Sequence, residues 1–269
     1  MNKYKQLLKQ ATINLSKMNA YLDNNIVIDI EQNNISKEIL INNIDQNINR
    51  FFYSAAHLQE ALEIKGSQKE IKHRLHNRFK TITQITENNY LYHELKTKIV
   101  HKQIEKPSVV YQTITDVGFG QSAMKRMVNI TNEDQKAIFR NQLNLDITRL
   151  NNYSPAEVVE QINEKKNEFG GFSLIGLIDH AIAQFPNNED FGLHNKFAGI
   201  FELLDLVGYW KDKYNDKSNY ARLWDSNHAY YASFCDYFIS DDKRTRNKAN
   251  VVFHIFDIKT KVISSKGEK

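Results

Sequence analysis

The chain has 269 residues, of which 41% are hydrophobic and 25% charged, with 10 Gly and 3 Pro. That balance excludes a disordered chain, and so few Gly and Pro disfavour a turn-rich sandwich or barrel and favour long helices. A formal net charge of +4 does not demand a polyanion partner but permits one, because charge can be concentrated locally. The single cysteine, Cys235, excludes an internal disulfide and a cysteine-based zinc cluster and suits a reducing compartment; it reads as a small core residue, not a nucleophile.

The opening "MNKYKQLLKQATINLSKM" lacks the apolar core of a signal peptide, and no apolar run approaches membrane-spanning length, so a cytoplasmic location is expected. Leu7, Leu8, Ala11, Leu15 and Met18 fall at helical spacing, predicting an amphipathic helix to about Tyr21. In "NNIVIDIEQNN" the apolar residues Ile26 to Ile28 lead into Asp29 and a polar turn, which predicts a short buried strand delivering Asp29 to a sheet edge. A helical period resumes through Ile35, Ile39, Leu40 and Ile44.

"RFFYSAAHLQEALEI" predicts an aromatic strand from Arg50 to Tyr53, an N-cap at Ser54 and a helix carrying His57, Glu60 and Leu62. Strand, helix, strand, helix is the order of a parallel sheet. From about 66 to 199 the pattern turns mainly helical. It is basic at its start ("QKEIKHRLHNRFK"), has helices near 132–150 and 154–168, and ends in a buried-helix pattern, "GGFSLIGLIDHAIAQF". This block reads as an insertion between an N-terminal part, 1–65, and a C-terminal part, 200–269.

The C-terminal part resumes the sheet. "NKFAGIFELLDLVGYWKDK" is a strongly amphipathic helix, and Asp225 is read as opening the next one. A strand is expected over Asp236–Ser240, a helix from Asp242, and a final strand in "IKTKVIS". Asp29, Glu60, Asp225 and Asp242 thus all fall at strand–helix junctions of one inferred sheet. A single such acid usually caps a helix. Several crowded together repel one another, and a hard divalent cation relieves that repulsion. Asp236, at the opposite end of its strand, reads as structural.

"WDSNHAYYASFCDYFISDDKRTRNKA" resembles the C-terminal half of a PIN domain, the metal-dependent ribonuclease fold of many bacterial toxins. Such domains carry an Asp opening a helix, an apolar strand ending in Ser or Thr, and an Asp two residues beyond; Ser240 and Asp242 match that spacing. "IVIDIEQN" resembles the first strand with its catalytic Asp, here Asp29, with "DIE" where Asp-x-Asn or Asp-Thr-Asn is usual. "FFYSAAHLQEAL" resembles the second strand, Ser turn and helix-borne acid, here Glu60. The resemblance spans about 24–65 and 200–264 and implies an α/β fold, a PIN-like parallel sheet flanked by helices and interrupted by the mainly helical insertion.

The activity implied is metal-dependent endonucleolytic cleavage, of RNA more than of DNA. Asp29, Glu60, Asp225 and Asp242 would be catalytic, holding one or two Mg²⁺ or Mn²⁺ ions with Asp241 as a further ligand. His228, Lys243, Arg244 and, in the insertion, Lys72, Arg74, Arg78 and Lys80 are the candidate nucleic-acid contacts. A toxin or phage-defence role, and an inhibitory partner protein or homo-oligomer to restrain it, follow from the resemblance; no membrane partner is expected. Two alternatives stand beside it. One is a metal-independent HEPN-like ribonuclease acting through Arg50 and His57; the other is a non-catalytic helical interaction protein on a degenerate nuclease fold.

Overall fold

Strand formation starts earlier than the apolar pattern suggests. In the computed structural model, which describes residues 17–116, 133–143, 145–186, 188–212 and 216–267, β1 is Met18–Leu22 and α1 is Asn24–Glu31. The strand expected at Ile26–Ile28 is therefore helix, and the end of the helix expected to reach Tyr21 is strand; the rest of that helix lies outside the described residues. The physical reason is local. Asp23 is extended, and its side chain accepts the amide of Asn24, which starts the helix there. Ile26 and Val27 then bury against the core, and that burial overrides the modest helix cost of β-branched residues.

The following elements are α2 (Lys37–Ile44), β2 (Ile48–Ser54) and α3 (Ala55–Ala61). Ser54 caps α3 as its sequence predicts, accepting from the amide of Ala56. Next come α4 (Gln68–Thr86), β3 (Asn89–Glu94), β4 (Ile99–Ile104) and α5 (Pro107–Asp116). The helices α6 (Glu133–Leu143), α7 (Ile147–Leu150), α8 (Pro155–Glu164), α9 (Leu174–Ala183) and α10 (Leu193–Leu206) follow. The chain closes with α11 (Asp216–Ala232), β5 (Tyr237–Ile239), α12 (Lys243–Ile255) and β6 (Lys261–Ile263).

Six strands form one sheet in the order β4-β3-β2-β1-β5-β6, parallel except for the β3–β4 hairpin. The block 66–199, read from the sequence as mainly helical, supplies two of these strands. β4 sits at the edge and is mostly exposed, with Lys102 among its residues; a charged edge of this kind resists pairing with other chains.

Side chains alternate between two helical layers. Tyr21 pairs in register with both Phe52 and Phe238, and all three face the layer that contains α10, α11 and α12. Leu22, Tyr53 and Ile239 face the opposite layer, with Ile26 of α1, Leu40 of α2, Ile82 of α4 and Val110 of α5. Both faces of the central strands are thus covered, as parallel sheets require. The apolar helix α9 docks on α10. A methyl group added at Gly199 would come within 3.1 Å of Ile178 Cδ1, so any larger residue there requires the Ile178 side chain to shift.

β1 is the topological switch point. The chain leaves it through α1 and α2 to β2 on one side, whereas β5 lies on its other side and continues through α12 to β6. Ligands of open α/β sheets bind in the crevice at the carboxyl ends of the strands on either side of such a point.

Candidate active site at the sheet rim

The crevice between the ends of β1 and β5 is filled by Asp23. Its backbone N–H donates to Ile239 O at 2.8 Å, which welds the end of β1 to β5. Its Oδ1 accepts from the amide of Asn24 at 2.7 Å, and its Oδ2 accepts from Ser240 Oγ at 2.5 Å and Asn25 Nδ2 at 2.9 Å. Burial pushes its carboxyl up, although His228 and the Ser240 hydroxyl pull the other way. Sequence reasoning missed Asp23. The acid expected in this place, Asp29, lies two turns along α1, partly exposed, where it accepts from Asn34 Nδ2 at 3.0 Å.

Glu60 enters from α3 and is held by two donors. Asn24 Nδ2 donates to Oε2 at 2.6 Å, and His228 Nε2 lies 2.6 Å from Oε1. His228 is fully buried, so it cannot touch a nucleic acid as expected; it orients Glu60 instead. Its other nitrogen, Nδ1, is 2.8 Å from the hydroxyl of Tyr21, which in turn lies 2.6 Å from Ser54 Oγ. Burial alone would lower the His228 pKa, but the Glu60 carboxylate and then Asp23 raise it above the ordinary histidine value. His57 behaves oppositely. Burial and the neighbouring His228 charge hold it well below the ordinary value, with Nε2 2.9 Å from Leu22 O and Nδ1 accepting from Ser54 N.

Asp225 does not open a helix; it sits in the middle of α11, half-buried. Burial, followed by the charges of Asp23, Asp242 and Asp212, pushes its carboxyl well above the usual range, with Lys248 a smaller opposing influence. Among the described residues no hydrogen bond engages that carboxylate. Asp242 caps α12, its Oδ1 accepting from the amides of Arg244 at 2.7 Å and Thr245 at 3.2 Å, while Ser240 Oγ accepts its own amide. Asp241 faces away from the crevice, where its two oxygens take the amide and hydroxyl of Ser265 at 2.9 and 2.6 Å, so the structure does not bring it to the other acids.

Three of the four expected acids, Glu60, Asp225 and Asp242, therefore share the rim, and Asp23 replaces the fourth. A buried charge network backs them. Asp205 on α10 meets Lys136 at 3.1 Å, Arg222 at 3.4 Å and Lys248 at 3.6 Å, and Lys248 also meets Asp212 at 3.0 Å. Lys243 lies over the ring of Trp210 at 4.6 Å, and Arg244 is 4.0 Å from Asp212, both on the first turn of α12.

The basic face of α4 divides. Lys72, Arg74 and Lys80 are exposed, but Arg78 is buried, its Nε donating to Glu31 at 2.6 Å and its Nη1 to Asn24 Oδ1 at 3.0 Å. Arg78 is thus the far end of a chain of contacts that runs through Asn24 to Glu60, not an exposed phosphate contact. Arg50 and His57 are not brought together: Arg50 is exposed on β2, and His57 is wholly buried at the rim. Asp236 accepts from Asn19 N at 2.7 Å at the opposite end of β5, as a structural role requires, and burial lifts the Cys235 thiol to about 12, which fits a core residue.

The donor set can be tested against a cation. Asp225, with two oxygens free of hydrogen bonds beside Asp23 and Asp242, is the arrangement that a hard divalent ion neutralises, and carboxylate, amide and hydroxyl oxygens suit Mg²⁺ or Mn²⁺. Among the described residues no group of three or more His, Cys, Asp or Glu side chains is already set to hold a metal ion. Asp23, Glu60 and Asp242 Oδ1 are turned to protein donors. The donor chemistry fits such an ion, which Asp225 and the remaining lone pairs of Asp23 and Asp242 would hold.

No helix among the described residues is long and apolar enough to cross a membrane. Comparison of the chain with family models, curated proteins and solved structures gives no match in any of the three.

Proposed function

We propose that the chain is a metal-dependent endonuclease acting on RNA, with a PIN-like site at the switch-point crevice in which Asp23 takes the place expected of Asp29. The observation that carries this reading is Asp225, a half-buried carboxylate without a hydrogen bond among the described residues and beside Asp23 and Asp242, its carboxyl raised first by burial and then by those two charges. Like charges gathered in a crevice at strand ends favour a cation there. The shift from Asp29 to Asp23 also supports the resemblance, because Asp23-Asn24-Asn25 supplies the Asp-x-Asn order that "DIE" lacks.

Asp225, Asp23 and Asp242 Oδ2 would hold the ion, which when bound lowers the pKa of a water and offsets charge on the leaving oxygen. The chain's own groups do the positioning. Ser240 and Asn25 fix the rotamer of Asp23, and His228 with Asn24 fixes Glu60, leaving it at the rim to orient a water. Lys243 and Arg244 stand one and two residues beyond Asp242, where they would take a phosphodiester oxygen; the amide end of α12 adds partial positive charge beside them.

The test is cleavage of a labelled single-stranded RNA by purified protein with Mn²⁺ or Mg²⁺, with EDTA and with Asp225→Asn. Cleavage is expected only with the ion and the intact acid. Cutting that persists in EDTA, or an Asp225→Asn chain as active as the parent, overturns the reading. A toxin or defence role rests on the resemblance alone; growth arrest on induction, lost in Asp225→Asn, would support it.

A further inference from the structure

Beside the acids, on the other side of α3, a cavity of about 600 Å³ opens between α3, β3 and α5, within the usual size range of ligand pockets. β3 runs parallel to β2 with Tyr90 opposite Tyr53, so Tyr92 and His93 extend beyond the end of β2 on the same rim as the acids. Gln59 lines this cavity, and its chain neighbour Glu60 faces the crevice. Consecutive Cα atoms are about 3.8 Å apart, so the two sites are separated by little more than the width of α3.

Two features of the lining point to a ligand. Gln59 and Tyr90 line the cavity with their polar atoms open to solvent, and His93, which also lines it, has a buried Nε2 with no hydrogen-bond partner among the described residues. A buried polar atom left unpaired costs about 1–3 kcal/mol, so a ligand that pairs His93 Nε2 recovers that cost. An amide offers a donor and an acceptor side by side, matching the edge of a nucleobase. Tyr92, 42% exposed, and Tyr231 add aromatic surface on which a base can stack. Glu94 and Glu105 line the cavity against the single cation Lys96, a net negative lining that favours a neutral base over the phosphate backbone.

We propose that this cavity is a nucleobase subsite, which takes one unstacked base of a single-stranded RNA whose neighbouring phosphodiester lies at the acids. This rests on the reading of the rim as an RNA-cleaving site and adds a base-selecting step to it.

The experiment is anisotropy binding of ten-nucleotide homopolymers of each base in EDTA, so that binding is read without cleavage. The parent should prefer one base. Gln59→Leu, apolar and one carbon shorter, should level the four affinities, and Tyr92→Ala should weaken binding by roughly tenfold, the scale of one lost stacking contact. An abasic oligomer should bind the parent and Tyr92→Ala alike. Thermal melts check that Gln59→Leu folds, and Tyr92 is exposed enough for its truncation to spare the core. Metal-dependent cleavage together with variants that bind all four oligomers as the parent does overturns the subsite alone. A parent that binds no oligomer overturns the subsite, and cleavage with Mn²⁺ or Mg²⁺ decides the nuclease reading separately.

Discussion

His228 Nε2 lies 2.6 Å from Glu60 Oε1, 168 positions earlier in the chain, and this contact ties α11 to α3 across the rim. The pair has a pH signature. The folded-state pKa of His228 is raised, with burial opposing the shift and Glu60 driving it, relative to an unfolded value of about 6.5. Its stabilisation is therefore fully present below about pH 6.5 and is lost as pH rises through the folded value.

Glu60→Gln removes the charge that holds His228 protonated while keeping the side-chain length. Its expected cost is about 1–3 kcal/mol at pH 6 and less at pH 9. Urea unfolding at several pH values checks this: stability should fall less steeply with rising pH in the variant than in the parent. Parallel curves would mean that His228 is neutral throughout.

Asp23 and Asp29 separate a rim acid from a helix-surface acid. Asp23→Ala removes an N-cap and the partner of Ser240, so it should cost about 1–2 kcal/mol and abolish cleavage. Asp29→Asn touches only a contact with Asn34 and should leave melting temperature and cleavage rate within error of the parent. Loss of cleavage in Asp29→Asn would return the catalytic role to the acid first expected from the sequence.

The exchange of Asp29 for Asp23 shows where local pattern stops being informative. "IVI" is three apolar residues in a row, which suit a buried strand or the buried face of a helix equally; only the cap at Asp23 and the pairing of Ala20 to Leu22 with β2 and β5 decide between them. β2, the Ser54 cap, the strand before Ser240 and the helix after it were legible because the apolar runs and polar turn residues agree there, although the cap of that helix is Asp242 and not Asp241. β3 and β4 were not, because Tyr90 and Leu91 are the buried residues of β3, β4 has none, and the hairpin follows a long polar helix. Asp225 was found for an incomplete reason: it lies at the rim because α11 passes over the ends of β1 and β5, not because it starts a helix. The burial of Arg78 and His228 depends on contacts 54 and 168 residues away in the chain, which no local window contains.

Asp225→Asn should stabilise the metal-free protein. Burial and the charges of Asp23 and Asp242 raise its folded-state pKa above an unfolded value of about 3.9. The folded state thus binds more protons, and stability declines as pH rises from the unfolded value to the folded one. At pH 7 with EDTA the variant should melt above the parent by a few degrees, on the order of 1 kcal/mol. Added Mn²⁺ should raise the melting temperature of the parent and leave the variant nearly unmoved, because only the parent assembles the ligands. A destabilised variant in EDTA would mean that the Asp225 carboxylate is satisfied by a partner within the chain.

Arg78 should differ from its neighbours on α4. Lys72, Arg74 and Lys80 are exposed, and reversing those three charges should leave the melting temperature unchanged. If they face the RNA, the slope of log affinity against log salt should fall by up to about 2, at roughly 0.7 for each single-strand phosphate contact. Arg78→Met instead strands Glu31 and Asn24, and through Asn24 loosens Glu60. Breaking one side of a largely buried ion pair costs about 3–5 kcal/mol, discounted here because the Glu31 side chain remains 21% exposed. Chemical denaturation and RNA binding over a salt series separate the two roles. Arg78→Met should lose stability and cleavage while keeping the salt slope of the parent. A variant of unchanged stability with a flattened slope would make Arg78 a phosphate contact after all.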